Sequence, residues 1–245
     1  MLRARLTKRL GHFTLDVDLS CPAGSILVLT GPSGSGKTTL LRILAGLDAP
    51  DAGRIALGDE LWLDTGAGLR RKPKERGVGL VFQEYSLFPH MTLADNVAYA
   101  TRDRAFGLEL LASFGIAHLS GARPGQMSGG ERQRGALCQA LARRPKALLL
   151  DEPFSALDAA TRSALRQELL RVRETFAMPI IHVTHDLAEA ALLGDQVLAL
   201  NKGRPDPGWF DHQVAERLEE ESVLRARRAP AAVFTQPTAP QGASL

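Results

Sequence analysis

The sequence predicts an α/β fold built on a parallel sheet. Three observations point there. Short apolar runs alternate with helical patterns along most of the chain. The run Ile26-Leu27-Val28-Leu29 is apolar without interruption, as expected of a strand covered on both faces. A second such run, Ala147 to Leu150, ends in two acids, Asp151 and Glu152.

Composition sets the bounds. A chain of 245 residues suits one large domain or two small ones. At 44% hydrophobic and 23% charged it can bury a core, which excludes global disorder. A formal charge of +3 is too mild to imply a nucleic-acid surface by itself. The two cysteines, Cys21 and Cys138, make no disulfide framework and no CxxC, so a reducing compartment is expected. No apolar stretch approaches the ~20 residues of a membrane span. The N-terminus lacks the apolar run of a secretory signal. Action at a membrane would therefore need a partner.

The elements follow in order. Phe13 to Leu19 alternates apolar and polar, the period of a half-buried strand. Cys21 to Gly24 reads as a turn, and Ile26 to Leu29 as the buried strand. A Gly-rich loop at 31–36 leads into a helix with Leu40, Leu41, Leu44 and Leu47 at helical spacing. Arg54 to Leu57, Glu60 to Leu63 and Val78 to Phe82 read as short strands, with a strongly basic segment from Arg70 to Arg76. Residues 84–126 look helical and loop-rich, and Ser128 to Leu141 reads as a helix. After the strand at Ala147, Asp158 to Glu174 is an amphipathic helix with Leu165, Leu169 and Val172 on one face. Pro179 to Val183 and Gln196 to Leu200 are further strands, separated by a helix from Asp186 to Leu193. Pro205, Pro207 and Gly208 read as a break before a short charged helix from Val214 to Arg228. Residues 229–245 read as a disordered tail.

Gly31-Pro32-Ser33-Gly34-Ser35-Gly36-Lys37-Thr38 fits G-x-x-x-x-G-K-[ST], between a buried strand and a helix. Its glycines let backbone N–H groups converge on phosphate oxygens, and the helix N-terminus favours the anion. Lys37 would reach the β and γ phosphates, and the Thr38 hydroxyl would bind Mg²⁺. A guanine reader would want Asn-Lys-x-Asp, and here Asn201-Lys202 is followed by Gly203-Arg204. Asp151 suits a water-mediated Mg²⁺ ligand, and Glu152 a base that polarises the attacking water. Both acids could also cap a following helix.

Ser128-Gly129-Gly130-Glu131 reads at first as a capping box. That accounts for Ser128 and Glu131 but not for two glycines in a first turn, each costing about 1 kcal/mol in a helix interior. Something must approach that backbone closely, and a second phosphate site is one candidate.

Ser128 to Arg134 resembles the signature motif of ATP-binding cassette (ABC) ATPases. Other pieces match in order. Val81-Phe82-Gln83-Glu84 resembles the Q-loop, followed by Ser86 to Thr92 as in importers. Asp151-Glu152-Pro153 resembles Walker B, Ser155-Ala156-Leu157-Asp158 the D-loop, and Val183-Thr184-His185-Asp186 the switch histidine. The resemblance covers about residues 1–204.

The resemblance implies an α/β P-loop NTPase fold of the ABC-ATPase type. It would carry an N-terminal antiparallel β subdomain and an inserted helical subdomain at about 84–141, with 205–245 as a partly disordered extension. It implies ATP and Mg²⁺, held by the loop 31–38 with Thr39, and by Thr38, Asp151 and Gln83 at the metal. Glu152, His185 and Gln83 would be catalytic. Phe13, the nearby aromatic, would stack on adenine, or simply follow the strand alternation. Ser128, Gly129, Gly130 and Glu131 would complete the site of a second copy in a head-to-tail homodimer. Asp158 would lie at that seam while also capping its helix.

Its implied partners are integral membrane permease subunits and, indirectly, a periplasmic or extracellular binding protein, with no nucleic acid. Its implied place is the cytoplasmic face of the inner membrane. The short segment 93–127 and Leu87-Phe88-Pro89-His90 look most similar to molybdate, tungstate and sulfate importers. The chain is expected to lack the β-rich regulatory domain that many importer ATPases carry. Three other readings stand beside this one. They are a soluble ABC ATPase of DNA repair or translation, a slowly hydrolysing regulatory subunit, and an importer of iron, polyamine, sugar or amino acid.

Overall fold

The computed structural model describes residues 1–82, 87–101 and 103–228. Gln83, the rest of the Q-loop segment to Ser86, and the tail 229–245 lie outside the described residues.

Strands β1 (Leu2–Leu10) and β2 (Phe13–Cys21) form a hairpin in which Leu2 pairs with Cys21 and Leu10 with Phe13. Its alternate residues Leu2, Ala4, Leu6, Leu15, Val17 and Leu19 are buried, the half-covered pattern that the alternation predicts. Then come β3 (Ile26–Thr30) and α1 (Lys37–Ala45). Gly46 ends α1 at φ 80°, a left-handed position that glycine takes without strain. Leu47 therefore lies outside the helix and is 41% exposed, a correction to the spacing argument that placed it on the buried face.

Next are β4 (Ala52–Leu57), β5 (Glu60–Asp64), β6 (Leu69–Arg70), α2 (Pro73–Arg76) and β7 (Val78–Val81). Three helices follow, α3 (Leu93–Ala100), α4 (Arg104–Ser113) and α5 (Gly129–Ala142), and they pack on one another. The chain goes on through β8 (Ala147–Asp151), α6 (Ala159–Phe176), β9 (Ile180–Val183), α7 (Leu187–Leu193), β10 (Gln196–Asn201) and β11 (Arg204–Pro205). Helix α8 (Pro207–Arg228) starts seven residues before the expected Val214. Pro207 and Gly208 open this helix rather than break the chain. A proline at a first helical position gives up an N–H that would have no partner, and Asp206 accepts from the Trp209 N–H at 3.1 Å.

Two sheets result. One is antiparallel, ordered β2-β1-β4-β5-β6. The other runs β11-β10-β3-β9-β8-β7 and is parallel from β10 to β7. The parallel sheet is buried on both faces. Ile26, Val28, Leu148, Leu150 and Ile180 point into a core shared with α5, α6 and α7. Leu27, Leu29, Ala147, Leu149 and Ile181 point into a core shared with α1 and the antiparallel sheet. This two-sided burial is why those strands read as unbroken apolar runs. It also places the ends of β3, β8 and β9 along one edge, where α/β sheets bind ligands.

Candidate active site

The loop after β3 carries the phosphate motif. Gly31, Gly34 and Gly36 have φ of 131°, 76° and 104°, conformations that residues with a Cβ rarely adopt. Gly36 is the N-cap of α1, and no side-chain oxygen caps that helix. Its first N–H groups are left for an anion. Lys37 folds back, its Nζ donating to the carbonyls of Gly31 at 2.8 Å and Pro32 at 2.9 Å. Burial pulls the Lys37 pKa down, against the pull of Glu152 and Asp151.

Thr38 Oγ1 donates to Asp151 Oδ1 at 3.2 Å, joining the loop to the end of β8. Burial pushes the Asp151 carboxyl up, the Thr38 hydroxyl opposes this, and the charge of Glu152 adds to it. Glu152 follows at φ 47°, a strained position for a residue with a side chain. Its N–H donates to Val183 O at 3.0 Å, and its Oε2 lies 3.0 Å from His185 Nδ1. His185 belongs to the turn after β9 and its side chain is largely exposed. Ser33, Gly34, Ser35, Gly36, Lys37, Thr38 and Thr39 line a cleft of about 370 Å³ together with Glu152, Leu10 and Phe13. Phe13 thus stands at the mouth of the phosphate loop, on the hairpin end that packs over Gly36.

The sequence-predicted residues fall into two groups. The loop residues, Asp151, Glu152, His185 and Phe13 come together. Ser128, Gly129, Gly130 and Glu131 do not line that cleft. Ser128 caps α5: its Oγ accepts from Glu131 N–H at 3.3 Å, and its own N–H donates to Glu131 Oε2 at 2.7 Å. The crowding expected at the glycine pair has a local cause at Gly130, where a Cβ would lie 2.4 Å from Thr161 Cγ2. Asp158 caps α6 by accepting from the N–H groups of Ala160 and Thr161, both at 3.0 Å. It also accepts from Thr161 Oγ1 at 2.6 Å. The Thr161 hydroxyl, with these N–H groups, holds its carboxyl below the usual range.

Sequence reasoning missed three supporting residues. Asn96 is fully buried on α3, where its Oδ1 accepts from Phe88 N–H at 2.7 Å. Its Nδ2 donates to the carbonyls of Phe88 and Thr92, which fixes the segment following the Q-loop. Glu189 is buried beneath the His185 turn, and Arg76 beneath the end of α1. None has a short motif. Thr92, the cap of α3 four residues before Asn96, was the one available signal for Asn96.

A family model described as ABC transporter matches residues 14–155. The chain belongs to that family. As an ABC cassette it binds ATP and is an ATPase. It is 44% identical over 211 residues to the molybdate/tungstate import ATP-binding protein WtpC of Archaeoglobus fulgidus, covering 83% of this chain and 84% of that one. It is 44% identical over 240 residues to the sulfate/thiosulfate import ATP-binding protein CysA 2 of Chromobacterium violaceum, covering 92% of this chain and 64% of that one. The cassette thus spans most of the archaeal relative and just under two thirds of the bacterial one. Among solved structures, it matches a dimeric ATP-binding cassette in a post-hydrolysis state with ADP and Pi. The TM-score is 0.70 at 29% identity, over 84% of this chain and 97% of that one.

Proposed function

We propose that the cassette binds MgATP between two copies of itself and uses its hydrolysis to drive import of an inorganic oxyanion of the molybdate, tungstate or sulfate type. The observation that carries the catalytic part is the Glu152–His185 contact of 3.0 Å beside the phosphate loop. It holds a carboxylate at the cleft, where water would attack the γ-phosphate in line. Glu152 acts as the base. His185 steadies it and reaches the γ-phosphate, while Lys37 and the N-terminus of α1 offset phosphate charge.

Mg²⁺ fits the residues present. Thr38 Oγ1 and Asp151 Oδ1 are hard oxygen donors 3.2 Å apart, and a cation would relieve the burial penalty on Asp151. Among the described residues no cluster of three or more His, Cys, Asp or Glu is poised for a metal. Thr38 directly and Asp151 through water would hold Mg²⁺, with Gln83 as the third residue assigned to it. When bound, it would neutralise charge on the phosphates.

The signature segment stands away from its own chain's cleft, which supports its use by a second copy. The dimeric form of the matched cassette points the same way. Among the described residues no helix is long and apolar enough to cross a membrane. In the importer reading the permease is a separate chain, and a cleft of about 280 Å³ beside β7 offers it a seat. Phe88 and Tyr99 line it edge to face at 4.9 Å, and Tyr99 is 68% exposed. The cargo rests on the relatives' names. Two of these are oxyanion importers, and a third, 40% identical, is the trehalose/maltose import ATP-binding protein MalK of Thermococcus litoralis.

Purification with its membrane subunits and reconstitution in proteoliposomes tests the whole reading. ATP turnover should rise on adding a binding protein loaded with molybdate, tungstate or sulfate. Stimulation by a sugar-loaded binding protein instead would overturn the cargo. A cassette that co-purifies with no membrane subunit would overturn import itself.

A further inference from the structure

His185 is exposed, yet the turn that carries it is tied to a buried polar cluster no step of the reaction uses. Glu189, on α7, is 3% exposed and His182, on β9, is fully buried. Glu189 Oε1 lies 2.5 Å from His182 Nε2, and Glu189 Oε2 accepts from Thr184 Oγ1 at 3.1 Å. Thr184 Oγ1 in turn accepts from Asp186 N–H at 3.0 Å, and Asp186 Oδ1 accepts from Glu189 N–H at 3.1 Å. The residues on both sides of His185 are thus closed into a ring through Glu189. On the other side, the His182 ring packs on Phe154 with centroids 5.6 Å apart, and Phe154 follows Glu152 by two residues. One buried pair therefore underlies both halves of the Glu152–His185 contact.

We propose that Glu189, held by His182, is a positioning residue that sets His185 against Glu152. The inference rests on the catalytic reading of His185 above. A carboxylate buried this deeply is costly unless its oxygens find partners, and here His182 of β9 meets one and Thr184 of the turn the other. Among the described residues the cluster's side chains make no hydrogen bond to the phosphate loop or to Thr38. Its loss should reach the chemical step and leave nucleotide binding alone.

The test is a double-mutant cycle in the full chain, reading MgATP turnover and ATP binding. Glu189→Ala should lower kcat about tenfold, with KM for ATP and ATP affinity within about twofold of the parent. Glu189→Gln, which keeps an acceptor for Thr184, should recover most of the turnover. In a His185→Ala background, Glu189→Ala should add less than about a twofold effect. Independent, multiplicative losses would overturn the proposal, as would an ATP affinity that falls in step with kcat. Unimpaired turnover in His185→Ala alone would defeat the reading of His185 and this inference with it, which separates the two failures. Should Glu189→Ala not fold, Thr184→Val cuts the same link and goes through the same cycle.

Discussion

The Arg76 guanidinium donates to the carbonyls of Ile43 at 2.7 Å and Leu44 at 2.8 Å, closing the far end of the helix that opens with Lys37 and Thr38. Arg76 is fully buried, and its guanidinium carbon lies 5.9 Å from the centroid of the Trp62 ring. Burial, with a smaller contribution from Arg70, pushes it down to about 10, so it is still a cation at neutral pH. A cation at a helix C-terminus meets the negative end of the macrodipole and satisfies orphan carbonyls. Arg76→Ala strips those partners and leaves a cavity, a loss of about 3 kcal/mol. In a chain of this size that lowers Tm by roughly 6–12 °C. Thermal unfolding checks it, and a shift under about 2 °C would sink the capping role.

Gly130 and Thr161 make a second prediction. Gly130→Ala drives a methyl to within 2.4 Å of Thr161 Cγ2 and should destabilise the chain by about 1–3 kcal/mol. Adding Thr161→Ser removes the offending methyl and keeps the hydroxyl that Asp158 accepts from. The double variant should recover most of the lost Tm. If Gly130→Ala melts like the parent, packing against α6 is not why a glycine stands there.

How much of this was legible can be argued residue by residue. The phosphate loop, Asp151 and Glu152 were visible because their chemistry demands fixed types at fixed spacing between buried strands. Arg76 was not. In the basic segment 70–76 it is indistinguishable by composition from exposed Arg70, Lys72 and Lys74, and its burial is set by Gly46 and Trp62, distant in sequence. The two glycines of the signature announced a close approach, but Thr161, which crowds Gly130, lies on a helix whose placement no local pattern specifies. Leu47 was misplaced because periodicity continues through a glycine that, in the left-handed region, stops the helix. His182 lies inside the apolar strand Ile180–Val183. Its carboxylate partner seven residues on could not be foreseen without the fold.

Glu152→Gln tests the base. The amide keeps the shape and can still meet His185, but it accepts no proton from water. Turnover should fall by about 10²–10⁴-fold while ATP binding persists. With hydrolysis blocked, ATP should hold two copies together, which size-exclusion chromatography with and without MgATP would show. Parental turnover in this variant would move the base elsewhere.

Asp151→Asn separates stability from function. Burial raises the folded pKa of Asp151, so between its unfolded and folded values the folded state binds the extra proton. Stability therefore declines as pH rises through that interval, and above it the penalty on the buried charge is complete. Asparagine removes the charge and can still accept from Thr38. The nucleotide-free variant should melt higher than the parent at neutral pH, and the difference should shrink as pH is lowered into the carboxylate range. With MgATP the order should reverse. A ligand at ~100 times its Kd stabilises a protein by about 2.7 kcal/mol, and a variant that has lost the metal's carboxylate should keep little of that gain. Melting curves with and without MgATP at several pH values decide it. A nucleotide-free Tm below the parent's at neutral pH would mean that the Asp151 charge stabilises the fold, through Lys37 or α1, more than its burial costs.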